Sequence, residues 1–303
     1  MHIPNGFLTD PVCAVSTLVS AGTIGYGFSR MRETDSSRSA ALMAATGAGI
    51  FAAQMVNFPI DGATSGHVIG AALAAIVLGP WRGMLTMAVV LAAQAFLFGD
   101  GGIRTLGANV LNMAVVGTLA ASVCYQFTTR RVGGAHGKLL GAGLAAFGSV
   151  MAAAALCAAE LAASGTYGLS GVFAAMMSVH LVVALCEAVI VMTIVAAALA
   201  LAADKNALST KSVLVGGLAL AVVVTGLVAP VASSRPDGLE RVAVDLNFAS
   251  LAASSPSVAP DYEAPRIAWP ALAVAVAGIS GVVFVFVSTY TVGRAAKARV
   301  RKQ

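Results

Sequence analysis

Nine runs of apolar residues divide this chain, at about 12–29, 38–57, 67–79, 83–98, 108–127, 139–163, 172–203, 212–232 and 268–290. No other feature limits its folding as much. Most of the runs approach the roughly 20 residues that a helix needs to cross the hydrocarbon core of a bilayer. In lipid, every backbone N–H and C=O must be paired within the protein, and a helix does so within each segment. The expected fold is therefore all-α, a polytopic integral membrane bundle of about nine transmembrane helices. Composition agrees, with 58% hydrophobic residues, 10% charged residues and a mean hydropathy of +0.88, far from the values of a soluble domain.

The spans are rich in small residues, as in Gly70-Ala71-Ala72-Leu73-Ala74-Ala75 and Ala152-Ala153-Ala154-Ala155. Such residues let helices approach closely where packing, not hydrophobicity, drives association. Cys13, Cys124, Cys157 and Cys186 stand singly in apolar runs and form no CxxC pair, so they read as small buried hydrophobes. The 11 methionines are scattered and read as adaptable packing, not as a thioether path for copper.

The distribution of charge sets the expected orientation. With the N-terminus outside and the C-terminus cytoplasmic, only Arg104, Arg235, Arg241 and Arg266 of the 18 basic residues lie outside. That is a strong positive-inside bias. The formal charge of +5 thus describes topology and gives no reason to expect a nucleic-acid partner. No secretory signal precedes the first run, so Met1 is expected to remain the N-terminus.

This orientation gathers three segments on one side: the opening Met1-His2-Ile3-Pro4-Asn5-Gly6, the loop from Asn57 to His67, and the loop Phe98-Gly99-Asp100-Gly101-Gly102-Ile103-Arg104-Thr105-Leu106-Gly107. A histidine at position 2 brings three nitrogens within chelating reach: the Met1 α-amine, the His2 amide and the near ring nitrogen of His2. They close one five-membered and one six-membered ring in a single plane, which leaves one corner of a square. Planar nitrogen sites suit Ni(II) and Cu(II), and Co(II) less strictly, whereas Zn(II) prefers a tetrahedron. His67, which opens the short span at 67–79, is the candidate for the fourth corner. Pro4-Asn5-Gly6 is turn chemistry that folds the terminus back on the body. A frayed terminus with an idle histidine is the competing reading.

Asn109 and Asn112 are three apart and share a helix face. They are either outer partners of the metal loop or ordinary interhelical hydrogen bonds. His180 and Glu187 are seven apart, also on one face, and stand for a proton relay, a brace for the outer loops or a buried structural pair. The stretch Gly133-Gly134-Ala135-His136-Gly137-Lys138 is no phosphate loop. It is one residue short between its glycines, and Leu139 replaces the Ser/Thr that would hold magnesium. Any ATP-derived energy must come from another subunit.

Two units are expected. Residues 1–205 form a first unit of about seven transmembrane helices that carries the candidate metal ligands. After the polar linker Asp204–Lys211, residues 212–303 form a second unit, two spans flanking an outer segment that opens with a short helix and continues as Ser/Pro/Ala-rich extended chain. Arg294–Lys302 is a basic cytoplasmic anchor.

Several separated motifs, Met1-His2-Ile3-Pro4-Asn5-Gly6, Ser65-Gly66-His67, Leu78-Gly79-Pro80-Trp81, Phe98-Gly99-Asp100-Gly101-Gly102 and Leu106-Gly107-Ala108-Asn109-Val110-Leu111-Asn112-Met113, resemble the substrate-binding permease of nickel/cobalt energy-coupling factor transporters. Pro236-Asp237-Gly238-Leu239-Glu240 resembles the auxiliary N component, here fused to the permease. The resemblance implies that Met1, His2 and His67 hold the metal. It also implies a non-enzymatic capture subunit of an importer in the cell (inner) membrane, driven by two ATPase subunits and a transmembrane coupling subunit. No cofactor is implied, since Ni(II), or in second place Co(II), is cargo. Asn5 stands where that family usually has Asp. A proton-coupled secondary transporter using His180 and Glu187 is the alternative, and it predicts uptake without ATPase partners.

Overall fold

The computed structural model describes residues 1–31, 36–60, 64–202 and 209–300. Most of the expected linker at 204–211 and the last residues of the basic tail lie outside them. The architecture is a helical membrane bundle with ten α-helices among the described residues: α1 Asp10–Ser29, α2 Ser36–Gln54, α3 Ala71–Ala93, α4 Leu106–Asn109, α5 Gly117–Val132, α6 Gly134–Ala163, α7 Leu169–Ala202, α8 Thr210–Val223, α9 Gly238–Asp245 and α10 Pro270–Val300. Seven stretches among the described residues are long and apolar enough to cross a membrane.

The apolar runs at 67–79 and 83–98 form one of these stretches, Ala71–Phe98. They are the two legs of a hairpin. Gly79 takes φ 77° and ψ 170°, a backbone that glycine adopts freely, and Pro80 starts the returning helix at a position where its missing N–H costs nothing. A Cβ placed on Gly83 would lie 2.9 Å from the Ala74 backbone, although nine residues of straight helix would separate them by about 13.5 Å. The first leg is therefore only about two turns long, and the extended strap from Ser65 to Gly70 carries the chain to its start.

Wider π-helical turns occur at Gln94–Phe98 and Val110–Val116, and such turns concentrate at functional sites. The core is made largely of alanine, with Phe51, Ile3, Met84, Met87 and Met113 among its fully buried large side chains. α8 and α10 both pack against α2 and against each other, and α9 sits on α7. The connection from 232 to 269 crosses the same end of the bundle as the N-terminus. Ser65 N donates to Pro236 O at 2.9 Å, Ser233 N to Asn57 O at 2.9 Å, and Ala253 N to Asn5 O at 2.8 Å. The expected short helix after Arg235 is α9. Asp237 caps it by accepting from Leu239 N and Glu240 N, while Glu240 accepts from Asp237 N. A capping interaction of this kind contributes about 1 kcal/mol.

Candidate metal centre

The first three residues are threaded into the bundle. Met1 is 4% exposed, His2 7% and Ile3 0%, so the frayed-terminus reading does not hold. The Ile3 backbone is gripped on both sides: its N–H donates to Asn109 Oδ1 at 2.8 Å, and its carbonyl accepts from Asn109 Nδ2 at 3.1 Å and Thr105 Oγ1 at 2.6 Å. Gly102 N also donates to Ile3 O at 2.9 Å, and a Cβ there would collide with Asn5. Asn5 itself ties two loops together, its Nδ2 donating to Ser255 Oγ at 2.8 Å and its Oδ1 accepting from Arg104 N at 3.0 Å.

The two asparagines expected on one face part company. Asn109 holds the opening loop, while Asn112, one turn deeper, donates to Glu160 Oε2 at 2.7 Å, and Glu160 Oε1 accepts from Ser16 at 2.9 Å. Asn112 is thus a tie between helices.

His2 and His67 stack with ring centroids 5.4 Å apart. Their tautomers follow from groups that can only accept. His67 Nδ1 lies 3.0 Å from the Val68 carbonyl, so Nδ1 carries the hydrogen and Nε2 keeps its lone pair. For His2 the argument runs through two buried amides. The Ile69 carbonyl requires Gln54 Nε2 as donor (2.7 Å), which leaves Gln54 Oε1 to accept from Gln94 Nε2 (2.7 Å). Gln94 then presents Oε1 to His2 Nε2 at 3.1 Å. A hydrogen therefore sits on Nε2, and in the neutral ring the lone pair sits on Nδ1, the near nitrogen that a terminal chelate uses, facing Asp100. Such outer partners set both orientation and basicity of a ligating imidazole.

Carboxylates complete the surroundings. Asp237 Oδ2 lies 2.8 Å from the Met1 amine and 3.5 Å from His67 Nε2, and Asp100 Oδ1 lies 3.2 Å from His2 Nδ1. Tyr262, stacked on Phe98 with centroids 4.6 Å apart, donates to Asp100 Oδ2 at 2.6 Å. His2, His67 and Asp237 each offer a ligand atom within 4.8 Å of the others. A cavity of about 10 Å³ lies among Met1, His67, His180 and Asp237, space for roughly one small ion or water.

Electrostatics favour donors over protons on His2. Burial pushes its imidazole down to about 4, outweighing the raising influence of Asp100. Burial alone would also depress the Met1 amine, but Asp237 wins, and the net direction is up. Burial opposes the Asp237 charge in turn, yet the Met1 ammonium and His67 override it and hold that carboxyl well below the ordinary range.

Glu187 and His180 do not bond each other. Glu187 accepts from Ile69 N at 2.7 Å and Gly70 N at 2.9 Å, and so pins the strap behind His67. His180 Nδ1 faces Met176 O at 2.8 Å, and its ring lies against Gly238. Of the three roles, bracing the outer loops is the one this geometry serves.

Asp237, Asp100, Gln54 and Gln94 were not legible as site residues. The capping pattern from Asp237 to Glu240 signals a helix start, whatever else the carboxylate touches. Gln54 and Gln94, polar side chains inside apolar runs, carried a usable signal, because such groups need partners in lipid.

Comparison with known proteins supplies a family. The description "Cobalt uptake substrate-specific transmembrane region" matches residues 2–205, and "PDGLE domain" matches residues 211–298. A putative fused nickel transport protein NikMN of Archaeoglobus fulgidus is 33% identical over 308 residues, covering 98% of this chain and 99% of that protein. The fused nickel transport protein NikMN of Rhodobacter capsulatus is 41% identical over 164 residues, which cover 53% of this chain and 46% of that relative's length. A cobalt transport protein CbiM of Acetoanaerobium sticklandii is 37% identical over 129 residues, covering 42% of this chain and 53% of that protein. A crystal structure of a truncated transition metal transporter superposes with a TM-score of 0.59 at 34% identity, covering 66% of this chain and 98% of that one.

Proposed function

The chain belongs to the cobalt uptake substrate-specific transmembrane family and carries a PDGLE domain behind it, and from that premise we propose that it captures Ni(II), with Co(II) second, for an energy-coupled importer. The observation that carries this reading is that the Met1 amine and His67 Nε2 meet at Asp237 Oδ2 while the His2 and His67 rings stack, each ring held by a hydrogen bond at its other nitrogen. With the His2 amide deprotonated, the amine, the amide and the two imidazoles make a planar nitrogen square. The N-terminal end of the bundle faces outward, in keeping with the positive-inside bias. Residues 1–205 act as the capture unit and 212–303 as a loading unit. Two ATPase subunits and a transmembrane coupling subunit supply the energy, and the permease rocks in the bilayer to release the ion inward.

The test is nickel uptake by membranes carrying this chain alone or together with the ATPase and coupling subunits, with zinc as competitor. Uptake should require the full set and should resist equimolar zinc, because zinc gains little from a planar site. Equal uptake by the chain alone would favour the proton-coupled alternative, and suppression by equimolar zinc would rule out the square.

The amide relay makes a separate prediction. Gln94→Leu removes the acceptor that keeps hydrogen on His2 Nε2, and loss of an outer partner of this kind lowers metal affinity by roughly 10–100-fold. Titration calorimetry on the purified protein reads this directly, and wild-type affinity would mean that the relay does not set the tautomer.

A further inference from the structure

Asp237 belongs to the second unit, 236 residues from the amine that it touches. Its two oxygens are divided between two tasks. Oδ1 accepts from Leu239 N and Glu240 N, both at 3.0 Å, to start α9. Oδ2 is left pointing at the nitrogens of the first unit, 2.8 Å from Met1 N and 3.5 Å from His67 Nε2. Oδ2 thus reaches both the amine and His67 Nε2, and His2, His67 and Asp237 each offer a ligand atom within 4.8 Å of the others.

The distances also suit a coordination shell. With metal–donor bonds of about 2.0–2.1 Å, donors at right angles lie about 2.8–3.0 Å apart and opposite donors about 4 Å apart. Oδ2 stands from the amine at the right-angle separation and from His67 Nε2, at 3.5 Å, about half an ångström beyond it. It cannot be an in-plane donor if the amine, amide and two imidazoles fill the square. The position remaining to it is above the plane, and tetragonal nitrogen and oxygen sets remain within the preferences of Ni(II) and Cu(II).

We propose that Asp237 binds the captured ion directly through Oδ2, as an axial oxygen that the PDGLE unit adds to the nitrogen square. This deepens the capture reading above and rests on it. The fused unit then contributes a ligand, so the site is complete only when the 232–269 connection lies over the permease.

The experiment is nickel X-ray absorption on the full chain in detergent, paired with calorimetry. The edge of a nitrogen-square nickel shows a resolved feature only when both axial positions are vacant. Wild type should lack that feature. Asp237→Ser keeps a hydroxyl to cap α9 but has no second oxygen to reach the ion. It should gain the feature and lose at least about tenfold in affinity, the lower end of what missing outer partners alone remove. Glu240→Gln disturbs the same helix start without touching the carboxylate, and should match wild type in both measurements. The vacant-axis feature in wild type, or its absence in Asp237→Ser, overturns the proposal. If the serine variant does not fold, Asp237→Asn keeps size and cap; weakened affinity supports the axial role, and wild-type affinity removes it. His67→Ala separates the two readings: if it binds weakly while Asp237 variants match wild type, only the axial oxygen is lost, whereas undiminished binding by His67→Ala removes the site itself.

Discussion

A single glycine placed ahead of Met1 should lower nickel affinity by about a hundredfold or more. The extension turns the α-amine into an amide and moves the free amine by roughly 3.5 Å. The bundle leaves no room for that shift, because Met1 and Ile3 are buried and the Ile3 backbone is held by Asn109, Thr105 and Gly102. Metal binding at four-ligand protein sites is worth roughly 10–16 kcal/mol, so one bond in four is about 3 kcal/mol, and 1.4 kcal/mol is about a factor of ten. The pH dependence has a definite sign. His2 is already neutral above about 4, so its ring gives up no proton near neutrality. The Met1 amine, raised by Asp237 against the lowering effect of burial, must release one, as must the His2 amide. Affinity should therefore rise with pH through the neutral range, with about two protons released from these groups per ion. Calorimetry of both proteins, in two buffers of different ionisation enthalpy, measures affinity and proton count together. Equal affinity for native and extended chains would mean that the opening residues do not hold the metal.

His67→Ala should cost a similar factor by a different route. It removes one nitrogen of the proposed square from the middle of a strap that is anchored independently at both ends: Glu187 holds Ile69 and Gly70, Gln54 holds the Ile69 carbonyl, and Ser65 bonds to the second unit at Arg235 and Pro236. The backbone should therefore stay in place when the ring is lost. Nickel affinity should fall about a hundredfold, again one bond in four, while the thermal midpoint of the metal-free protein changes little. If affinity and midpoint fell together, His67 would be a packing residue whose loss collapses the strap.

Much of this molecule follows from local pattern. Apolar runs of bilayer length dictate a helical membrane bundle, because unpaired backbone groups are too costly in lipid for other open structures. A histidine at position 2 marks where a terminal chelate can form, because the three nitrogens are linked by so few bonds that no fold is needed to bring them together. His67 was legible as the candidate partner by its place at the start of a short span, and the structure stacks its ring on that of His2. Local pattern could not separate Asn109 from Asn112. Both lie on one helix face, but one turn of depth sends the first to the opening loop and the second to Glu160.

The tertiary structure alone decided the rest. Periodicity shows that 67–79 and 83–98 are helical, yet only the backbone at Gly79 turns them into a hairpin. The tautomer of His2 depends on Gln54, Gln94 and the Ile69 carbonyl, groups from three elements whose directionality has meaning only once they touch. Asp237 reads in sequence as the start of a helix, and it is that. Its second oxygen meets the Met1 amine 236 residues away because α8 and α10 pack against α2 and carry their connection across the site. Such contacts are set by how helices pack in three dimensions, and the order of residues along one segment does not encode them.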